Sequence, residues 1–309
     1  MTSVINSSFP DAYFIIAPDS QTNRVVVSVD TLRPEMVSAV GSSGVDQAQV
    51  TYRQEPGLAG GMQMAQDPTG QLPITYSRTK YPPYYGGLQA SVRRNLDADN
   101  IPANDTLIGN CTSGYSFNKG YWGVTAGHCG RSGPETMISI GTTEVGWMGR
   151  NRWVFQETAD RVVKGDVGRF ALAGSSGPLG QGEPKVVTGP KTLRIVVGQF
   201  TYDDLDRNTD SCWSGWKNPG PNCGQIKVVG GDIKLTGGGY LENAWCNDSV
   251  SIEGDSGGPV YDVTNAVEDE IWAEGIMAGK YEKIGYSCFT HIQTVQELME
   301  LTLDYVTLI

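Results

Sequence analysis

Three short segments carry residue types suited to nucleophilic attack on an acyl carbon. Ser256 lies in Gly254-Asp255-Ser256-Gly257-Gly258-Pro259, His128 in Val124-Thr125-Ala126-Gly127-His128-Cys129, and Asp166 in Gly165-Asp166-Val167-Gly168-Arg169-Phe170-Ala171-Leu172. A hydroxyl is a weak nucleophile at neutral pH and needs a neighbouring base. An imidazole with an ordinary pKa near ~6.5 is suited to take its proton. A carboxylate then fixes the imidazole tautomer and stabilises the imidazolium. The turn before Ser256 lets the backbone N–H groups of Gly254 and Ser256 converge on one spot, where they would hold an oxyanion. Gly257 and Gly258 leave space and permit unusual dihedrals. Asp160 is an alternative carboxylate. Asp166 is preferred because an apolar strand follows it directly.

The elements that must position these groups read as mostly β. Glycine supplies 40 of 309 residues, roughly twice the usual share of about 7 %, as expected of tight turns between short strands. From about Tyr84 onward, β-like runs recur at Tyr121–Val124, Met137–Ile140, Val162–Val163, Arg194–Val197 and Gln225–Val229. One helix is expected at Thr294–Asp304. The first 55 residues read as a small α/β unit. It has strands at Ala12–Ile16, Arg24–Val29 and Gln47–Arg53, and a short helix at Arg33–Val37 capped by Asp30 or Thr31. Residues 56–83 are punctuated by glycine and proline and read as a linker. The third division is 84–309.

Composition excludes several classes. A net charge of −11 with no basic run argues against nucleic acid, whose binding runs on Lys/Arg against phosphate. No stretch approaches ~18 consecutive apolar residues, so no membrane span is expected. Six cysteines outside any CxxC pair, with only two histidines, argue for disulfides rather than a metal site. Disulfides imply an oxidising compartment. Neither a metal nor a cofactor is expected; no EF-hand-like ligand run exists. Met1–Pro10 lacks the basic start and apolar stretch of a signal peptide, so a signal has been removed or export takes another route.

Thr-Ala-Gly-His-Cys and Gly-Asp-Ser-Gly-Gly-Pro, in the chain order His, Asp, Ser, resemble the trypsin/chymotrypsin-like serine peptidases. Within them the chain is most similar to the streptogrisin/α-lytic protease group, over about residues 84–309. The resemblance implies two antiparallel six-stranded β-barrels with a C-terminal helix and the triad between the barrels. It assigns His128, Asp166 and Ser256 to the triad and Gly254 with Ser256 to the oxyanion hole. Asp255 becomes a buried carboxylate shaping the turn. It pairs Cys111 with Cys129, and Cys212 with Cys223 across a hairpin-like loop, and leaves Cys246 for Cys288. Cys246 lies farther before the serine than is usual there. Tyr13–Arg53 is similar to the end of that group's pro-segment, which assists folding and inhibits until cut away. Tyr84-Tyr85-Gly86-Gly87 looks like a mature start. A secreted, monomeric proenzyme cleaved near residues 75–86 is thus implied, with peptide substrates and its own pro-segment as partners.

By the same resemblance, Val250, Ser251, Glu253, Met277, Ala278, Gly279 and Lys280 border the substrate, and the later strand pairs with its backbone. Val250 stands where trypsin-like enzymes carry an acidic residue, so Lys/Arg preference is not expected. Val250 and Met277 favour an apolar or medium-sized residue before the scissile bond. Lys280 and His291, with Ser251, open the alternative of an acidic preference. A catalytically dead homologue acting as a binding module is a further reading. An α/β-hydrolase esterase would run Ser…Asp…His. Asn104-Asp105-Thr106, Asn110-Cys111-Thr112 and Asn247-Asp248-Ser249 match the N-glycosylation triplet, to which a bacterial-type protein gives no use.

Overall fold

The computed structural model of the chain describes residues 1–64, 83–94, 106–131, 136–140, 143–154, 158, 160–172, 181–263 and 269–307. Most of the expected linker and processing region, and Asn104, lie outside the described residues.

The valine run forms the strand Arg24–Val29, as β-branched side chains favour. It pairs antiparallel with Phe14–Asp19 and parallel with Val50–Gln54. Parallel neighbours need a crossover, which the helix α1 of this βαβ unit (Pro34–Ser42) supplies. Pro34 opens that helix, where its fixed φ suits the first turn. The expected cap is not used: Arg33 is the N-cap, with no side-chain bond, and Asp30 Oδ1 instead accepts the Tyr13 N–H at 2.9 Å. Phe14, Ile16, Val27, Val29, Met36 and Val40 form the core of this unit, with Ile5 from a helix at Thr2–Ser8 that the sequence did not signal. A helix of seven residues is too short to stand alone. This one is pinned from outside, by Lys234 Nζ donating to Asn6 Oδ1 at 2.6 Å and by Thr2 Oγ1 donating to Asp232 Oδ2 at 2.5 Å.

Two sheets make up the rest. A seven-stranded sheet runs in the order Thr106–Thr112, Gln89–Arg94, Thr136–Ile140, Thr143–Asn151, Gly168–Ala171, Trp122–Thr125, Ser116–Phe117. It closes over Leu88, Val92, Ile138, Ile140, Met148 and Phe170. The second barrel is built mainly from Gly182 onward, with Tyr84–Gly86 and Val162–Val163 added to its sheet, around Trp213, Val260, Met277 and Phe289 on one side and Ile271 and Ile276 on the other. This is the expected mostly-β double-barrel architecture after a small α/β unit, with two departures from six antiparallel strands each: the first sheet has seven strands, and the second includes parallel pairs such as Thr192–Gln199 with Glu270–Tyr281. The N-terminal sheet is continuous with the second barrel: Ile15 pairs with Ile233 and Ile16 with Asp232. Residues 56–64, inside the span read as linker, are packed. Leu58 and Met62 are fully buried among Ala278, Tyr281 and Cys288.

The C-terminal helix spans Ile292–Met299, shorter than expected. Glu300 adopts a left-handed φ of 56°, and the tail turns back so that Asp304 accepts the Lys119 and Gly120 N–H groups, both at 2.6 Å. Disulfides join Cys111–Cys129, Cys212–Cys223 and Cys246–Cys288. The last two bridge residues directly opposite on antiparallel strands.

Candidate active site

His128 sits in a single turn, Gly127–Cys129, that follows the strand Trp122–Thr125. Its position is held on three sides. Cys129 is bridged to Cys111. Asn151 Nδ2 donates to the Gly127 carbonyl at 2.7 Å and also to the Gly130 carbonyl, tying both ends of the turn. The Trp153 ring meets the imidazole in a T-shaped contact at a centroid distance of 5.7 Å. A side chain at Gly127 would run into Asn151 and Trp153.

Asp166 is fully buried. Its Oδ2 receives His128 Nδ1–H at 2.6 Å and its Oδ1 receives the His128 backbone N–H at 2.9 Å. The Asp166 N–H donates to Thr290 Oγ1 at 3.0 Å, anchoring the segment on the second barrel. Asp160, the alternative, is exposed, and a hydrogen bond from Thr158 lowers its pKa.

Ser256 is buried in a turn with left-handed glycines on both sides, Gly254 at φ 99° and Gly257 at φ 87°. The Ser256 Oγ lies 3.4 Å from the Ala278 carbonyl. The Ser256 carbonyl accepts the Thr112 N–H at 2.7 Å, and the Gly257 N–H donates to the Met277 carbonyl at 2.8 Å. Gly257 faces Thr125 Oγ1, the Thr112 carbonyl and the Ala126 nitrogen so closely that no Cβ would fit. The serine turn is therefore seated on the residues that lead into His128. Asp255 is fully buried against Gly215, with its Oδ2 accepting the Ile252 N–H at 3.0 Å. Burial pushes its pKa up to about 7, against the opposing pull of backbone N–H groups and of Lys217.

The residues expected to border the substrate do not share one surface. Ala278 and Ser251 are buried beside the serine turn, Ser251 donating its N–H to Ser287 Oγ at 2.7 Å. Val250 and Glu253 are on the open surface: Val250 is 49 % exposed, so it is rim rather than a closed floor. Met277 belongs to the core with Trp213, Trp245 and Phe289. His291 and Lys280 do not converge. On the paired strands Glu270–Tyr281 and Tyr286–His291, Lys280 faces Ser287 while His291 faces Gly275, four residues on, or roughly 13 Å of strand. His291 is sandwiched between Tyr202 and Trp245, and its Nδ1 accepts the Gln293 N–H at the start of the terminal helix. Burial depresses its pKa to about 3, so it is neutral and offers no cation to a carboxylate. The Lys280 ammonium leans towards Glu282, 3.9 Å away. Gly279 and Lys280 are covered by the chain itself: the Gln63 N–H donates to the Lys280 carbonyl at 2.8 Å and the Lys280 N–H to the Gln63 carbonyl at 3.0 Å.

Asn151, Thr290 and Thr112 were not foreseen. Only Thr112 carries a sequence signal, as the last residue of a glycosylation triplet whose Asn110 is buried and bonded to Gln89 and Ser91. Asn247 is buried too.

No protein-family model matches the sequence, and no curated protein matches it. Solved structures do. Protease A of Thermobifida fusca matches at 21 % identity with a TM-score of 0.50, covering 72 % of this chain and 98 % of its own. A Nocardiopsis protease matches at 22 % identity and 0.50, covering 71 % and 98 %. A glutamic acid specific serine protease, described as using a histidine triad in substrate binding, matches at 17 % and 0.50, covering 72 % and 100 %. At these identities the likeness concerns the fold: the chain carries the chymotrypsin-like double β-barrel that these serine proteases share.

Proposed function

We propose that the chain is a secreted serine endopeptidase, made as a proenzyme, that acts through Ser256, His128 and Asp166. The observation that carries this reading is the two-point hold of Asp166 on His128, beside a serine turn seated on Ala126. Ser256 Oγ attacks the scissile carbonyl and His128 Nε2 takes its proton. Asp166 keeps the proton on Nδ1 and stabilises the imidazolium. The oxyanion forms against the Gly254 and Ser256 N–H groups. His128 returns the proton to the leaving amine, and water repeats the sequence on the acyl-enzyme.

Three disulfides support an extracellular setting. The pairing of Gln63 with Lys280 supports the proenzyme reading, because the chain's own backbone lies on the strand expected to receive a substrate. For the residue before the scissile bond, the apolar Val250 rim and the absence of a charged His291 favour an apolar or medium-sized side chain. The glutamic-acid-specific neighbour keeps an acidic preference as the second reading, with Lys280 as a cationic candidate. A peptide library varied only at that position separates the two.

The central test is a fluorophosphonate applied to the full-length chain, with the adduct mapped by mass spectrometry. An adduct on Ser256 that disappears in His128→Ala is expected. A folded chain that takes up no reagent even after proteolytic removal of the segment paired with Lys280 would identify an inactive homologue and overturn the proposal.

A further inference from the structure

Thr112 is fully buried and engaged at every polar atom. Its N–H donates to the Ser256 carbonyl at 2.7 Å. Its Oγ1 donates to the Gly254 carbonyl at 2.8 Å and accepts the Trp216 N–H at 3.1 Å. Its carbonyl accepts Thr125 Oγ1–H at 2.8 Å. A backbone N–H can only donate, so the Trp216 bond occupies a lone pair of the hydroxyl and commits the single hydroxyl proton to Gly254.

These contacts bracket the nucleophile. The peptide that carries the Ser256 N–H lies between the two carbonyls that Thr112 holds. Its own carbonyl, that of Asp255, is tied to the Gly258 N–H at 2.9 Å. With the flanking peptides pinned, the Ser256 N–H cannot swing without breaking a bond to Thr112. The other end of the residue reaches the base: Cys111, next in sequence, is bridged to Cys129 beside His128, and Thr125 belongs to the strand that delivers the histidine turn. One buried hydroxyl thus locks the left-handed Gly254, while the backbone around it ties the serine turn to the histidine turn.

We propose that Thr112 is a positioning residue for the reaction, holding the oxyanion-forming turn of Gly254–Ser256 in register with His128. The proposal rests on the peptidase reading above. It assigns the Thr112 hydroxyl a role in kcat rather than in substrate affinity, because it touches the turn and not the strand that pairs with a substrate.

The full-length chain is folded and then matured by an added protease, as wild type, Thr112→Val, Thr112→Ala and Thr112→Ser, with kcat and KM measured on a peptide substrate alongside thermal melting. Valine keeps the shape and strands two buried backbone groups. Alanine leaves room for a water to bridge them, so it keeps the experiment alive if the valine variant does not fold. Displacing a reacting group by about 1 Å can cost on the order of 100-fold. A fall of about that size in kcat is therefore expected for valine and alanine, with KM changed less than about twofold, and serine restores turnover to within a few-fold of wild type. A folded alanine variant with undiminished kcat would overturn the role, as would a serine variant as impaired as alanine, which would make the methyl group and its packing responsible. A folded wild-type chain that still hydrolyses nothing after maturation would overturn the peptidase reading, and the role with it, a result distinct from either.

Discussion

Asp166 grips His128 at two points, its Oδ2 at the ring Nδ1–H and its Oδ1 at the backbone N–H. The second bond sets where the residue sits and the first sets which nitrogen carries the proton. Asp166→Asn separates these functions. Its amide oxygen can keep the backbone bond, but its NH2 then faces Nδ1 and favours the tautomer in which Nε2 carries the proton and cannot accept another. Turnover on a peptide substrate is expected to fall by about 10⁴-fold while the melting temperature moves little. Ser256→Ala and His128→Ala should each fall about as far alone as together, because the three act as a unit. Steady-state kinetics on the single and double variants checks both statements.

Gly257 and Gly44 give a matched pair. Both have positive φ, 87° and 85°, so alanine is strained at either. At Gly44 nothing lies within 4 Å of a new Cβ, whereas at Gly257 it meets the Thr112 carbonyl and the Ala126 nitrogen, which are backbone. Gly44→Ala is expected to cost about 1 kcal/mol from strain alone. Gly257→Ala adds overpacking of about 1–3 kcal/mol more and drives the serine turn off the histidine turn. Urea denaturation of the two variants should show the larger loss at Gly257, and only that variant should lose activity.

The segments around His128 and Ser256 are legible because their chemistry is local. A turn that needs left-handed backbone on both sides of a serine shows itself as glycine at 254 and 257. The valine-rich strand at Arg24–Val29 is legible for a similar reason. What escapes is set by distant partners. Asn151, Thr112 and Thr290 act on residues far away in the chain, and nothing near them in sequence marks the use. The terminal helix ends early because Asp304 is drawn to Lys119 and Gly120. His291 and Lys280 look like neighbours by count along the chain, but the register of their strands keeps them apart.

Two buried carboxyls make stability depend on pH in one direction. Burial raises Asp255 from 3.8 to about 7. Burial also raises Glu274 well above 4.5, opposed by the Ser211 hydroxyl and reinforced by Asp262. The folded chain therefore keeps protons that the unfolded chain has already released. The stability these groups confer is complete below the unfolded pKa and is lost as pH rises, for Asp255 between 3.8 and about 7 and for Glu274 from 4.5 upward. Glu274→Gln keeps an acceptor for Ser211 and has no proton to lose. Each such proton contributes a slope of up to about 1.4 kcal/mol per pH unit. Urea midpoints should therefore agree for wild type and variant near pH 4 and diverge in favour of the variant by pH 8. Parallel curves over that range would show that Glu274 is not the titrating group.

The hold of the N-terminal unit on the second barrel can be loosened at one atom. Gln63 donates its N–H to the Lys280 carbonyl and accepts the Lys280 N–H, and Gly279 lacks a Cβ where Gln63 and Met64 lie over it. Gln63→Pro removes the donor and leaves the acceptor, while Leu58 and Met62 stay buried as anchors. The loss of one backbone hydrogen bond, about 1 kcal/mol, corresponds to roughly fivefold in access to the strand. Two phosphonate reagents distinguish that access from general loosening. A tripeptidyl phosphonate must pair with Lys280 to reach Ser256, whereas a small alkyl fluorophosphonate need not. In the full-length chain, Gln63→Pro is expected to speed modification by the peptidyl reagent about fivefold and to leave the small reagent unchanged. Equal acceleration of both would mean that the variant disturbs the serine turn itself, and no change in either would mean that Gln63 does not guard the strand.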